Sequence, residues 1–286
     1  MKFTKMHGLG NDYVYVNCFE EKLDGVDLPE LSRRISDRHF GVGGDGLILI
    51  MPSDQADFRM RVFNNDGSEA LNCGNGLRCV SKYVFDHGLT TETNFTIETK
   101  GGIVTPIVKA NESGKVESIT VDMGEPRLLR KEIPMQGNPD EQVIGEILQA
   151  GERSYSVTAV SMGNPHAVII QDQLSVEELH TYGPLLESHA AFPERANIEF
   201  VSVVNRGEID FQVWERGSGV TLACGTGACA AVVATSLHNK TDREVFVHLD
   251  GGDLLIEWRK SDNHVYMTGP AVEVFQGIYH GVLPII

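Results

Sequence analysis

Apolar residues fall along the chain in short runs separated by glycine, proline and aspartate. "YVYVNC" from Tyr13, "GLILIM" from Gly46, "HAVII" from His166 and "IEFVSVV" from Ile198 are rich in β-branched and aromatic side chains and read as strands. "DLPELSRRISDRHF" and "SVEELHTYGPLLESH" carry their apolar residues at helical spacing and predict amphipathic helices. "GLRCVSKYVFDHG" places Leu77, Val80, Val84 and Phe85 on one face and stops at Gly88. "ACAAVVATSLHN" is apolar almost all round, and a helix without a polar face has to be enclosed. "NFTIETKGGIVTPIV" and "EVFVHLDGGDLLIEW" read as hairpins turning at Gly-Gly and Asp-Gly-Gly.

Sliding the chain against itself shows that these elements occur twice. "MRVFNNDGSEALNCGNG" from Met60 aligns without a gap on "FQVWERGSGVTLACGTG" from Phe211, pairing Phe63 with Trp214, Leu71 with Leu222 and Cys73 with Cys224. Similar offsets set "GLGNDYVYV" on "SMGNPHAVII", with Asn11 over Asn164, and "GGDGLILI" on "RANIEFVSVV". Three segments in the same order predict an α+β fold of two pseudo-symmetric domains from an internal duplication, each a curled mixed β-sheet around a central helix. The boundary is expected near "DMGEPRLL", giving a half-domain over 1–124 with Cys73 and one over 125–269 with Cys224. Residues 270–286 are expected to return to the first.

Composition narrows the function classes. The 286 residues carry a formal charge of -16 with no Lys/Arg run, so the surface repels phosphate backbones and nucleic acid is excluded as an expected partner. No stretch approaches the length of a membrane span or a signal peptide, and five cysteines are an odd, sparse set that suits reduced thiols; a cytoplasmic protein with no membrane partner is expected. The Asn-x-Ser/Thr matches at Asn94, Asn111 and Asn239 are then chance. "GVGGDG" matches the dinucleotide glycine pattern through Gly41, Gly43 and Gly46, but it follows a helix and opens a strand, the reverse of a nucleotide-binding context. Cysteine and histidine spacings fit no zinc pattern, and no metal is expected. Cys79 and Cys229, further into their helices, read as small core residues.

Cys73 and Cys224 differ from these because each stands at the start of its helix, where unsatisfied N–H groups and the positive dipole end favour a thiolate. One such cysteine is most simply structural; a matched pair in duplicated halves points to chemistry. One sulfur as thiolate and the other as thiol can remove a proton from one face of a carbon and deliver one to the other, inverting it. Backbone N–H groups of Gly74, Asn75, Gly225 and Thr226 are placed to bind a carboxylate and stabilise charge developing on it, without pyridoxal phosphate or another cofactor.

With these residues in view, "GNDYV", "FNNDGSE", "CGNGLRC", "GNPHAV", "ERANIEF" and "WERGSGVTLACGTGACA" together resemble the diaminopimelate epimerase family over essentially the whole chain. The resemblance implies a cofactor-independent two-base epimerase interconverting LL- and meso-diaminopimelate, on the route to lysine and peptidoglycan precursors, and it suggests a homodimer. It implies Cys73 and Cys224 as the acid–base pair and substrate contacts from Asn11, Asn64, Asn164, Asn197 and Arg216, with Arg216 gripping the distal carboxylate. His166 and Glu215 match positions beside the thiols that tune proton affinity and hold the substrate ammonium. One position departs: many members carry Gln after the aspartate corresponding to Asp45, where this chain has Gly46. A proline racemase-like enzyme would share the paired cysteines but not the polar grip of Arg216, Asn64 and Asn197. A thiol–disulfide redox protein would use Cys73 and Cys224 as a switch.

Overall fold

The computed structural model describes residues 1–281; the last five residues of the expected returning segment, 282–286, lie outside the described residues. The chain divides into two compact units, one formed by Met1–Val121 with the segment returning from Gly269, the other by Asp122–Thr268.

In the first unit the strand Lys2–Gly8 pairs antiparallel with Val272–Ile278 on one side and with Asn11–Asn17 on the other. The sheet continues through Gly46–Met51, parallel, Phe58–Asn64, antiparallel, and Ile97–Thr99, parallel, to Gly102–Val104. The second unit repeats the sequence of senses: Arg153–Ser161 runs antiparallel to Pro165–Gln171, which runs parallel to Asn197–Asn205, antiparallel to Glu208–Glu215, parallel to Glu244–Leu249 and antiparallel to Gly252–Trp258. Alternating parallel and antiparallel senses in the same order are the structural form of the duplication.

Among the described residues four α-helices complete the units: α1 (Leu28–Ser36), α2 (Gly74–Asp86), α3 (Val176–Glu187) and α4 (Gly225–Leu237). α1 covers one face of the first sheet with Leu31 and Ile35, and α3 covers the second with Leu179 and Leu186. α2 and α4 are the central helices. Ala228 to Ala234 are fully buried, and α4 packs on the strands from Arg153–Ser161 through Gly252–Trp258, which is the enclosure its apolar composition requires. Among the described residues no helix is long and apolar enough to cross a membrane.

α1 ends at Ser36, short of the expected "DRHF", because the Asp37 carboxylate accepts from the N–H groups of His39 and Phe40 and turns the chain. The glycine-rich run then folds back on the helix end. Val42 and Gly43 N–H donate to Ile35 O, and Gly44 N–H donates to Ser36 O. A β-carbon at Gly41 would lie 2.3 Å from Arg34 O, so only glycine allows this approach. The amides of Gly41 to Gly44 bond carbonyls at the end of α1 and that of Asp45 bonds Asp12 O, so these five are engaged within the protein.

Candidate functional site

α1 and α3 start in the ordinary way, with Asp27 and Ser175 side chains accepting from the third backbone N–H. α2 and α4 start on sulfur. Cys73 Sγ accepts from Gly76 N–H at 3.3 Å and Cys224 Sγ from Gly227 N–H at 3.4 Å, so each cysteine is the N-cap of its unit's central helix. The first N–H groups of each helix, those of Gly74 and Asn75 and of Gly225 and Thr226, have no carbonyl within the helix to bond.

Around Cys73 the first unit builds a polar chain. Cys73 S–H donates to Asn11 Oδ1 at 3.7 Å, and Asn75 Nδ2 donates to the same oxygen at 3.3 Å. Asn11 Nδ2 donates to Asp45 Oδ2 at 2.8 Å, while Arg78 Nη2 donates to Asn75 Oδ1 at 2.8 Å. Asp45 also accepts from Asp12 N–H at 3.0 Å and from Arg38 Nη2 at 3.1 Å. Asp12 is pushed up by burial, but Arg38 and Lys5 outweigh this and hold it below the usual carboxylate range. Asn64 Nδ2 donates to Ser68 Oγ at 3.0 Å, and Tyr13 O–H reaches Asn64 Oδ1 at 3.5 Å.

Gly46 pairs with Tyr13 on one neighbouring strand and Asn64 on the other. A β-carbon there would meet Phe63 O at 2.0 Å and Tyr13 Cε1 at 2.7 Å. The backbone thus leaves no room for a side chain, and the Tyr13 ring occupies the space a Gln would enter. Gly46→Gln is expected to cost stability, on the order of 1–3 kcal/mol for an overpacked site, read as a lowered urea midpoint with unchanged slope.

Around Cys224 the second unit is more deeply buried. His166 and Glu199, both with side chains 0% exposed, meet at 2.6 Å through Nδ1 and Oε1. His166 Nε2 lies 2.9 Å from Asn164 Oδ1, Asn164 Nδ2 donates to Thr226 Oγ1 at 3.3 Å, and Thr226 Oγ1 is 3.7 Å from Cys224 Sγ. Both ring nitrogens of His166 are engaged, so its influence on Cys224 runs through Asn164 and Thr226. Asn197 Nδ2 donates to Pro165 O at 2.9 Å and its Oδ1 accepts from Arg216 N–H at 2.9 Å; this amide ties two strand ends together. The Arg216 guanidinium reaches Glu194 O at 3.1 Å. Glu215 accepts from the Thr221 hydroxyl, and burial, helped by Glu199, raises its pKa.

The expectation that a helix N-terminus lowers the thiol pKa fails at Cys224. Burial, reinforced by Glu215 and Glu199, drives that pKa well above the ordinary thiol value, and the hydrogen bonds from Gly227 and Thr226 only partly offset it. A thiolate that loses its water loses more than one turn of helix returns. Cys79 and Cys229 are fully buried, and burial pushes Cys79 up to about 12. Among the described residues no group of three His, Cys, Asp or Glu side chains is placed to hold a metal ion.

Sequence reading missed Asp45, Arg78 and Glu199. Asp45 sits inside a run that looks like a plain glycine turn, Arg78 looks like a helix surface residue, and Glu199 takes its place within the apolar strand "NIEFV". An ionisable residue in the middle of such a strand was the one available signal.

Fold and site together define a class: duplicated α+β proteins with a cysteine capping the central helix of each half. The fold is shared with a hydroxyproline epimerase from Agrobacterium vitis, at TM-score 0.67 and 14% identity over 97% of this chain and 91% of that one. It is shared also with a phenazine biosynthesis protein from Bacillus anthracis, at TM-score 0.65 and 17% identity over 97% and 98%. Within that fold the chain belongs to the diaminopimelate epimerase family, whose model matches residues 3–129 and 158–274. It is 56% identical to the diaminopimelate epimerase of Agathobacter rectalis over 97% of this chain and 98% of that protein, and 55% identical to that of Geobacillus thermodenitrificans over 97% and 96%.

Proposed function

We propose that the protein epimerises the α-carbon of diaminopimelate, converting the LL to the meso form without a cofactor, with Cys73 and Cys224 as the two acid–base residues. The observation that carries this reading is the pair of N-cap sulfurs, each on the central helix of its half, in a chain of this family. The reaction needs a thiolate on one face of the carbon and a thiol on the other. A proton leaves the α-carbon for one sulfur and a different proton arrives from the second, so the product emerges with the opposite configuration and the two protonation states exchanged.

Charge left on the α-carbon spreads into the adjacent carboxylate, and the first-turn amides of the two helices (Gly74 and Asn75, Gly225 and Thr226) are suited to receive it. Asn11, Asn64, Asn164 and Asn197 line the substrate in this reading. Arg216 supplies a planar guanidinium for the second carboxylate, a bidentate pairing that lysine reproduces poorly. Burial holds Cys224 as a thiol in the free protein, and a substrate ammonium beside the buried Glu215 offsets the charge that a working thiolate carries. The same reading places the protein in the bacterial cytoplasm, in lysine and peptidoglycan precursor synthesis, as a homodimer.

Purified, reduced protein is expected to convert LL-diaminopimelate with no added redox partner and to leave L-proline unchanged. In deuterated water, early product should carry solvent deuterium while recovered substrate stays largely unlabelled. Turnover of proline would favour a racemase of the proline type, and activity that depends on a disulfide partner would favour a redox protein. Substantial early label in recovered substrate would break the assignment of separate base and acid.

A further inference from the structure

We infer that Asp45 and Arg78 are positioning residues that lock the amides of Asn11 and Asn75 in one orientation, so that the Asn11 carbonyl, and not its NH2, faces the Cys73 sulfur. The inference rests on the reading of Cys73 as an acid–base residue and concerns how its proton is held.

An asparagine amide has a donor end and an acceptor end of nearly equal size, and in isolation it can turn either way. Here neither amide is free to turn. Both oxygens of the Asp45 carboxylate accept: Oδ1 takes Arg38 Nη2, and Oδ2 takes Asp12 N–H and Asn11 Nδ2 at 2.8 Å, so this partly exposed group is anchored as an acceptor. Arg78 can only donate; it is fully buried and gives Nη2 to Asn75 Oδ1 at 2.8 Å. Between a fixed acceptor at one end and a fixed donor at the other, the hydrogen bonds run in one direction, from Arg78 to Asn75 to Asn11 to Asp45. Turning either amide would set N–H against N–H or oxygen against oxygen in partly buried surroundings, where each mismatch loses a hydrogen bond and leaves a polar group unpaired.

This direction matters to the sulfur. With its oxygen fixed towards Cys73 at 3.7 Å, Asn11 accepts from S–H and opposes a thiolate, which would face a carbonyl lone pair. Turned over, the same side chain would donate N–H to the sulfur and favour the thiolate. In the second unit Asn164, which aligns with Asn11, touches no carboxylate directly: its Oδ1 faces Nε2 of His166, whose ring is held by Glu199 through Nδ1, and its Nδ2 donates to the Thr226 hydroxyl. The two halves thus share an asparagine at the matched position but hold it by different means. Tyr15, on the strand beneath, and Cys79, on α2, are also in electrostatic contact with Cys73; both stay unchanged in the variants below.

Asp45→Asn replaces the acceptor-only group by one that can turn with Asn11. Iodoacetamide labelling of the intact protein, followed at the Cys73 and Cys224 peptides by mass spectrometry from pH 6 to 10, reads the thiolate at each sulfur without any substrate. In Asp45→Asn the Cys73 profile is expected about one pH unit lower, with labelling at pH 7.5 about tenfold faster, and the Cys224 profile unmoved. Asp45→Glu, still acceptor-only, should fall back towards the wild-type profile. The shift should persist in about 0.5 M salt, because a mere loss of the half-exposed Asp45 charge would be screened there whereas a turned amide would not. A Cys73 profile that superimposes on wild type, or a shift abolished by salt, overturns the inference. Should Asp45→Asn not fold, Asp45→Ser removes the same group at smaller volume and is read in the same way. Wild-type protein inactive on LL-diaminopimelate, with the shift present, would sink the proposed function and leave the lock standing.

Discussion

Cys224→Ala and Cys73→Ala should each lower epimerisation by about 10³-fold or more in both directions, since general acid–base groups typically contribute 10²–10⁴-fold and each thiol serves in one half of every turnover. The measurement is a coupled assay run from LL- and from meso-diaminopimelate, with circular dichroism to establish folding. Loss of the N-cap acceptor also removes roughly 1 kcal/mol from each helix start, a cost small enough to leave the fold intact. Serine at either position restores a capping oxygen but not an acid of thiol strength, so it should recover stability without recovering turnover. Near-normal turnover in Cys224→Ala would end the two-base assignment.

The largest stability effect is expected at Glu199. Its carboxylate and the His166 imidazole are both fully buried and 2.6 Å apart, and Glu199 Oε2 has no partner among the described residues. Glu199→Ala leaves His166 without the group on Nδ1, and breaking a buried pair from one side costs about 3–5 kcal/mol. Calorimetry should show the unfolding transition lowered by on the order of 10 °C. Glu199→Gln keeps the shape and a hydrogen-bonding partner for Nδ1 and should lose much less. A β-carbon on Gly227 would lie 2.9 Å from Glu199 Oε1 and 3.1 Å from Cys224 Sγ, so this pair stands directly behind the first turn of α4 and its loss should be felt at the thiol. Equal stability in the alanine and glutamine variants would mean the pair contributes nothing beyond volume.

Strands, helices and the repeat were legible because they depend on short-range pattern. The all-apolar "ACAAVVATSLHN" could only be an enclosed helix, and the alignment of Cys73 on Cys224 needed nothing beyond counting. The task of the glycine-rich run after α1, capping the carbonyls of Ile35 and Ser36, depends on a reversal of the chain that no local pattern records. The end of α1 was misjudged for the same reason: Asp37 bonds backward-turning amides, and the apolar spacing of "DRHF" carries no weight against that.

Chemistry at the two thiols divides along the same line. Their identity and their place at helix starts follow from the chain itself, since in both halves Cys-Gly-x-Gly stands directly before a run with helical apolar spacing. Their protonation depends on distant parts of the chain. Burial and two carboxylates from neighbouring strands set Cys224, and a turn and a helix residue together fix the amide beside Cys73. Hydrogen-bond direction and desolvation arise only when segments far apart in the chain are packed side by side, so they belong to the folded molecule and not to any stretch of its residues.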